Sequence, residues 1–343
     1  MPRTDKMKNA LDGIVNLMDG LLQWLDDRLE ARRARTRREG LLAVLLLAPA
    51  MTLMGVFGFA PLLAGFYMSL FGGPLGENQF AGWGNYIRAF NDPEFWNSLK
   101  VTVYYVLGTI PASLVGSFLV AYGLHRILRG RGLLRTLYFL PYVTSAVAAA
   151  MVWRALFMTP DGVANLVLEL LGLESQRWIL EGKGILHLIS GGWIPQDIGP
   201  SLALGCVMLF DIWHGSGFMI VVFLAGLTAI PRELEEAARI DGAGALRVVR
   251  HVVLPLLSPT ILFLAVVSTI KAFQAFNSFY ALTQQPDQPL FEPTTNVVLY
   301  IYGQLYRWND YGYGAAISML FMVAIILVTT LQWRFVGRRV HYS

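Results

Sequence analysis

Five polar side chains stand inside apolar runs: Asp211 and His214 in one, Lys271, Gln274 and Asn277 in the next. Ionisable groups at membrane depth are costly to bury, so they are functional candidates by default. Lys271, Gln274 and Asn277 recur every third residue and share roughly one helical face, with Phe273 and Phe276 nearby. Such a face could offer hydrogen bonds and an aromatic platform to a polar solute. A polar contact between helices of neighbouring subunits is the competing reading of the same face. For Asp211, an ion pair or an outer-interface location comes first and substrate contact second.

No residue set points to catalysis. The five histidines are dispersed, without HExxH or Cys/His metal spacing. There is no GxSxG elbow. No GxxxxGK[ST] phosphate loop is present either; Gly182-Lys183-Gly184 lacks the pattern. The chain is therefore read as neither an enzyme nor a metal protein, and no cofactor is assigned to it. Cys206, the single cysteine, sits in an apolar run and reads as a packing thiol.

A second constellation occupies Glu235–Pro259, EEAARIDGAGALRVVRHVVLPLLSP, between two long apolar runs. Pro231 suits a first helical position, where its missing N–H costs nothing. Glu233, Glu235 and Glu236 follow in the first turns, where the helix dipole favours acids. Glu235 and Arg239 are spaced for an i,i+4 pair. Gly242 and Gly244 then interrupt, and a second short helix ends before Leu254-Pro255. The spacing predicts a helix–turn–helix whose small residues, Ala237, Ala238, Gly242 and Ala243, let it press into a groove on another protein.

The elements that must carry these residues are membrane helices. The 343 residues are 55% hydrophobic and 15% charged, with a mean hydropathy of +0.51. Six apolar runs, about 41–70, 101–124, 137–158, 202–228, 259–283 and 315–336, are each long enough to cross a bilayer. An all-α integral membrane protein follows, because the bilayer core offers no water to an open backbone. Lysine and arginine concentrate in 1–40, 125–136, 231–256 and 333–343. The positive-inside rule then places both termini and the 231–256 loop in the cytoplasm. That topology accounts for the pI near 9.2 without nucleic acid. Residues 1–40 hold no apolar stretch before a small-residue cleavage site; 9–30 instead predict an amphipathic helix. This cytoplasmic extension reads as a lipid-surface anchor or as a face for a partner subunit.

The island resembles the cytoplasmic signature of the permease subunits of ATP-binding-cassette importers. That signature is EAA, three residues, Gly, nine residues, Ile, one residue, Leu-Pro. Here Glu236-Ala237-Ala238, Gly242, Val252 and Leu254-Pro255 fall at the matching positions, with Val in place of Ile. The fuller form EAARIDGA is similar to the carbohydrate-importer branch. GNYIRAFNDPEFWNSLKVT at 84–102, LRTLYFLPYV at 134–143, VWRALF at 152–157 and YGYGAAIS at 311–318 also resemble maltose-type and glycerol-phosphate-type permeases. The family often carries Thr-Gly-Gly-Pro after the fifth span, where this chain has Thr283-Gln284-Gln285-Pro286.

The resemblance implies a six-helix permease core of the type I importer kind over 41–340, with a coupling helix in the 231–256 loop. It implies that Glu236, Ala237, Ala238, Asp241, Gly242, Leu254 and Pro255 dock an ATPase subunit. Lys271, Gln274, Asn277, Phe273 and Asp211, read from their own chemistry within the spans, stand as the pathway candidates. The implied partners are a cytoplasmic ATPase dimer carrying ATP and Mg, a second permease subunit in a heterodimer (or a second copy of this chain), an extracytoplasmic solute-binding protein, and membrane lipid. A sugar, polyol or sugar phosphate is the implied cargo, and a bacterial or archaeal inner membrane the implied location. The alternative is an ion-coupled secondary transporter. It predicts intramembrane acid clusters and an inverted repeat, neither of which is evident, and leaves the island unexplained.

Overall fold

The computed structural model describes Gly20, Gly40 and residues 42–72, 79–127, 130–283 and 292–337. Apart from those two glycines, the expected amphipathic extension lies outside the described residues, as do Gln284-Gln285-Pro286 and the last six residues. The chain divides into two compact units, 1–64 and 65–343. In the first, residues 42–64 are helical and begin α1 (Leu42–Ser69), with a π-turn at Gly55–Phe59. Side chains such as Leu46 and Phe57 are exposed there. A helix apolar all round belongs in a membrane.

The second unit is almost wholly helical. A two-residue hairpin pairs β1 (Phe71–Gly72) with β2 (Gln79–Phe80). After α2 (Gly84–Asn91) comes the 34-residue α3 (Pro93–Arg126). Asp92 caps α3, accepting from the Glu94 N–H at 2.9 Å, and Pro93 fits the first turn. Its carboxylate also accepts from Tyr300 at 2.6 Å and from Tyr313. Burial alone would raise the Asp92 pKa, but these hydrogen bonds outweigh it and hold the carboxyl below its ordinary range.

Next come α4 (Arg131–Val143) and α5 (Ala146–Leu156), bent by 94°. A span is expected over 137–158, and its bend has a local cause. Pro141 cannot donate to the preceding turn, Thr144 Oγ1 donates to the Pro141 carbonyl at 2.6 Å, and Ser145 caps α5. Beyond the short α6 (Val163–Leu170) and α7 (Ile185–Ile189) lies α8 (Leu202–Ala229). The α4 helix packs closely on α8 at Gly217, where a Cβ would meet the Tyr138 carbonyl at 2.6 Å. Helices α9 (Arg232–Ile240) and α10 (Ala245–Leu256) lead to α11 (Ser258–Phe273), with a bend of 69° between α10 and α11.

The expected span 259–283 is two helices, α11 and α12 (Asn277–Thr283), separated at Gln274–Phe276. The break is satisfied locally. Asn296 Nδ2 donates to the freed Ala275 carbonyl at 2.6 Å, while Asn296 Oδ1 caps α13 (Val297–Tyr306) through the Leu299 N–H. Non-helical backbone at membrane depth persists where protein satisfies it or where it lines a cavity. The chain closes with α14 (Tyr311–Gly337). Among the described residues, α1, α3, α8 and α14 are long and apolar enough to cross a membrane. The bent pairs α4/α5 and α10/α11 bring the total to six if each pair is one span.

Three main apolar clusters hold the second unit together. One joins α3, α8 and α12 through Tyr105, Phe210, Phe279 and Leu282. Another packs Phe223, Leu227, Val248, Val253 and Leu257 where α8 meets α10. The third, around Phe95, Phe273, Tyr313 and Phe321, lies among α3, α11 and α14.

Candidate functional site

Two sites emerge in the second unit. The first is a cavity of about 320 Å³ walled by α3, α4, α8, α11 and α12. It brings together four of the five pathway candidates, Asp211, Lys271, Gln274 and Asn277, and adds His214 and Phe276. Because the helix breaks at Gln274, the triplet does not lie on one continuous helical face. Lys271 is on α11, Gln274 caps it, and Asn277 starts α12. The break turns all three toward one space. Phe273 does not line that space. It is 5% exposed and packs on Phe321 with ring centroids 5.7 Å apart. Phe276 takes the cavity position and stacks on Tyr280.

Asp211 forms no ion pair among the described residues. Its Oδ2 accepts from Tyr105 Oη and Ser278 Oγ, each at 2.7 Å, tying α3, α8 and α12 together. Lys271 Nζ donates to Tyr142 Oη at 3.2 Å and stands 4.9 Å from the Phe218 ring centroid. The side-chain amides of Gln274 and Asn277 have no hydrogen-bond partner among the described residues and are exposed to the cavity. Tyr105, Tyr142, Phe218 and Ser278 were not singled out from sequence. Tyr142 follows Pro141 in the last turn of α4.

The second site is the α9–α10 element. Helix α9 ends in a two-bond turn: Gly242 N–H donates to the Arg239 carbonyl at 3.0 Å and Ala243 N–H to the Ala238 carbonyl at 2.9 Å. Gly242 holds φ +81°, a left-handed conformation that glycine adopts without a Cβ penalty. Gly244 then starts α10, accepting from the Val248 N–H at 3.1 Å. A π-turn at Val249–Val253 precedes Pro255, which has no N–H to continue an ordinary ladder.

Within this element the docking candidates separate into two groups. Ala238 and Ala243 are half-buried against the chain's own apolar cluster, and Leu254 and Pro255 are half-buried as well. Glu236, Ala237, Asp241 and Gly242 are exposed. Glu235 pairs with Arg239 at 3.3 Å, as the spacing predicts. Glu236 has no partner among the described residues, although it lines a cleft of about 300 Å³ with Arg126, Arg232 and Arg239. Beyond it Ile240 and Leu246 are 86% and 81% exposed. An unpaired acid beside exposed aliphatic side chains makes a surface suited to covering by another protein.

Comparison with known proteins gives the family of the chain. A family model described as "Binding-protein-dependent transport system inner membrane component" covers residues 101–342. The trehalose/maltose transport system permease protein MalF of Thermococcus litoralis is 31% identical over 303 residues, covering 88% of this chain and 95% of that protein. The sn-glycerol-3-phosphate transport system permease protein UgpA of Agrobacterium fabrum is 34% identical over 308 residues, covering 88% and 97%. A bacterial alginate ABC transporter, solved in complex with alginate pentasaccharide-bound periplasmic protein, superposes with a TM-score of 0.72. Its sequence identity is 21%, with 88% and 96% covered, so it attests the fold. The chain belongs to the family of binding-protein-dependent transport system inner membrane components, the permease subunits of ABC importers.

Proposed function

We propose that this chain imports a sugar, polyol or sugar phosphate across a bacterial or archaeal inner membrane as the permease partner of separate ATPase subunits. The observation that carries the reading is the exposed α9–Gly242–α10 element, whose EAA…G…LP spacing coincides with a fixed turn and an unpaired Glu236. In this reading α9 sits in a cleft of the ATPase, with Glu236 making charge-assisted contacts and Ile240 and Leu246 covered. ATP and Mg are held by those ATPase subunits. Both chain termini lie on the ATPase side, in keeping with the distribution of lysine and arginine.

A second permease subunit, in a heterodimer, closes the open side of the cavity. An extracytoplasmic solute-binding protein delivers cargo to the other face. The cavity's free amides and aromatic rings suit a polyhydroxy solute, and the names of the maltose and glycerol-phosphate relatives agree with that class. The test is uptake into vesicles. Uptake that needs ATP and a co-purified ATPase supports the proposal. Uptake driven by an ion gradient with no ATPase present would restore the secondary-transporter alternative.

A further inference from the structure

Among the described residues, the cavity contains a cation without a counter-ion. Lys271 is exposed to the cavity, and its ammonium meets the Tyr142 hydroxyl at 3.2 Å and the faces of Tyr142 and Phe218 at 5.3 and 4.9 Å. Ring faces stabilise an ammonium without neutralising it, so the full charge remains available. Among the described residues Asp211 is the one acid in the wall, and the hydroxyls of Tyr105 and Ser278 both donate to its Oδ2. Among the described residues no carboxylate pairs with Lys271. A neutral solute would be served by amides alone, and Gln274 and Asn277 already supply two. Holding an uncompensated ammonium at membrane depth is costly, and an incoming anion would offset that cost.

We propose, resting on the pathway reading above, that the cavity receives a polyhydroxy solute bearing an acidic group and that Lys271 reads that group. Carboxylate and phosphate share the required chemistry: oxygen acceptors with a negative charge for an ammonium. The amides of Gln274 and Asn277 then meet the solute's hydroxyls, and the rings of Tyr142 and Phe218 flank the ammonium.

The experiment uses the complete transporter, with its second permease, ATPase subunits and solute-binding protein, in proteoliposomes. Three probes are compared: maltose as the neutral sugar, digalacturonate for carboxylate, and sn-glycerol 3-phosphate for phosphate. One acidic probe is expected to be taken up with an efficiency about tenfold or more above maltose, the scale of one charge-assisted contact. Lys271→Gln is expected to remove that preference and Lys271→Arg to keep it. Which acid wins distinguishes the two sources of charge. Maltose uptake equal to or above both acids overturns the inference and leaves the importer reading standing. That outcome is also expected if the second permease supplies an acid to Lys271. An acid preference unchanged in Lys271→Gln overturns it as well. If Lys271→Gln does not assemble, the wild-type ratio of acid to neutral uptake decides alone. Absence of ATP-dependent uptake for all three probes overturns both this inference and the reading beneath it.

Discussion

The α9–α10 element and the Asp211 cluster are built in opposite ways. In the element, each defining bond joins close neighbours: Glu235 to Arg239, Arg239 to Gly242, Ala238 to Ala243. In the cluster one carboxylate gathers Tyr105 and Ser278 from helices distant in sequence. Asp92, with Tyr300 and Tyr313, repeats the second pattern at the start of α3. A locally closed surface can be formed before a partner arrives and still present free side chains to it. A carboxylate shared among helices instead fixes how those helices pack, and the oxygen that joins them is engaged inside the protein.

The contrast is open to test, beginning with the largest expected effect. Glu236→Lys or Gly242→Asp should lower ATP-driven uptake by on the order of a hundredfold, the scale of reversing a docked charge. The amount of protein inserted in the membrane should be unchanged, as quantified by immunoblotting of membrane fractions. Undiminished uptake in both variants would remove the docking role. Phe273→Ala should cost about 3–5 kcal/mol of stability, as for a buried aromatic ring, while Phe276→Ala should alter the KM for uptake with little change in melting temperature. A reversed pattern would move the pathway to the other face of the break.

Asp211→Leu leaves the Tyr105 and Ser278 hydroxyls without their acceptor, at about 1–3 kcal/mol for each group. Thermal unfolding in detergent should show the loss, and Asp211→Asn, which keeps an acceptor, should show less. At Asp92 the pH dependence has a definite sign. The folded pKa is depressed below 3.8, so the stabilisation is present above that value and is lost as pH falls below it toward the folded pKa. Asp92→Asn should flatten the melting temperature against pH in that acid window. A slope that persists in the variant would assign the effect to other carboxylates. The smallest effect is expected from Arg239→Ala. Loss of this exposed i,i+4 pair should change stability by no more than about 0.5 kcal/mol, and a larger fall would mean that the pair is part of the turn itself.

What was legible in the sequence follows the same division. The turn at Gly242, the Glu235–Arg239 pair and the apolar runs depend on residues a few positions apart, and spacing alone revealed them. The family pattern added a partner to the α9–α10 element. The pathway triplet was found by residue type, yet its continuous helical face was wrong. The break at Gln274–Phe276 depends on Asn296, some twenty residues further on, to satisfy the Ala275 carbonyl. The same dependence moved Phe273 into the core and Phe276 into the cavity. Asp211's partners were invisible for a related reason: a tyrosine and a serine in apolar runs carry no local mark of which carboxylate they will meet. Pro141 sits in the last turn before the sharp bend between α4 and α5, although a proline in a membrane helix does not by itself fix an angle.

One consequence of the broken fifth span is mechanical. Helix α11 follows Leu257, a residue locked in the cluster beneath α10, and stops at the cavity with Lys271 in its last turn. Its 16 residues make a rod about 24 Å long. A tilt of about 5° about the Leu257 end would therefore swing the far tip by about 2 Å. Because the rod stops at Gln274, the swing need not be shared by α12, which is moored to Asp211 through Ser278. The tip of α11, held by Phe273 against Phe321, and α12, held by Ser278 on Asp211, are thus anchored separately on the two sides of the break.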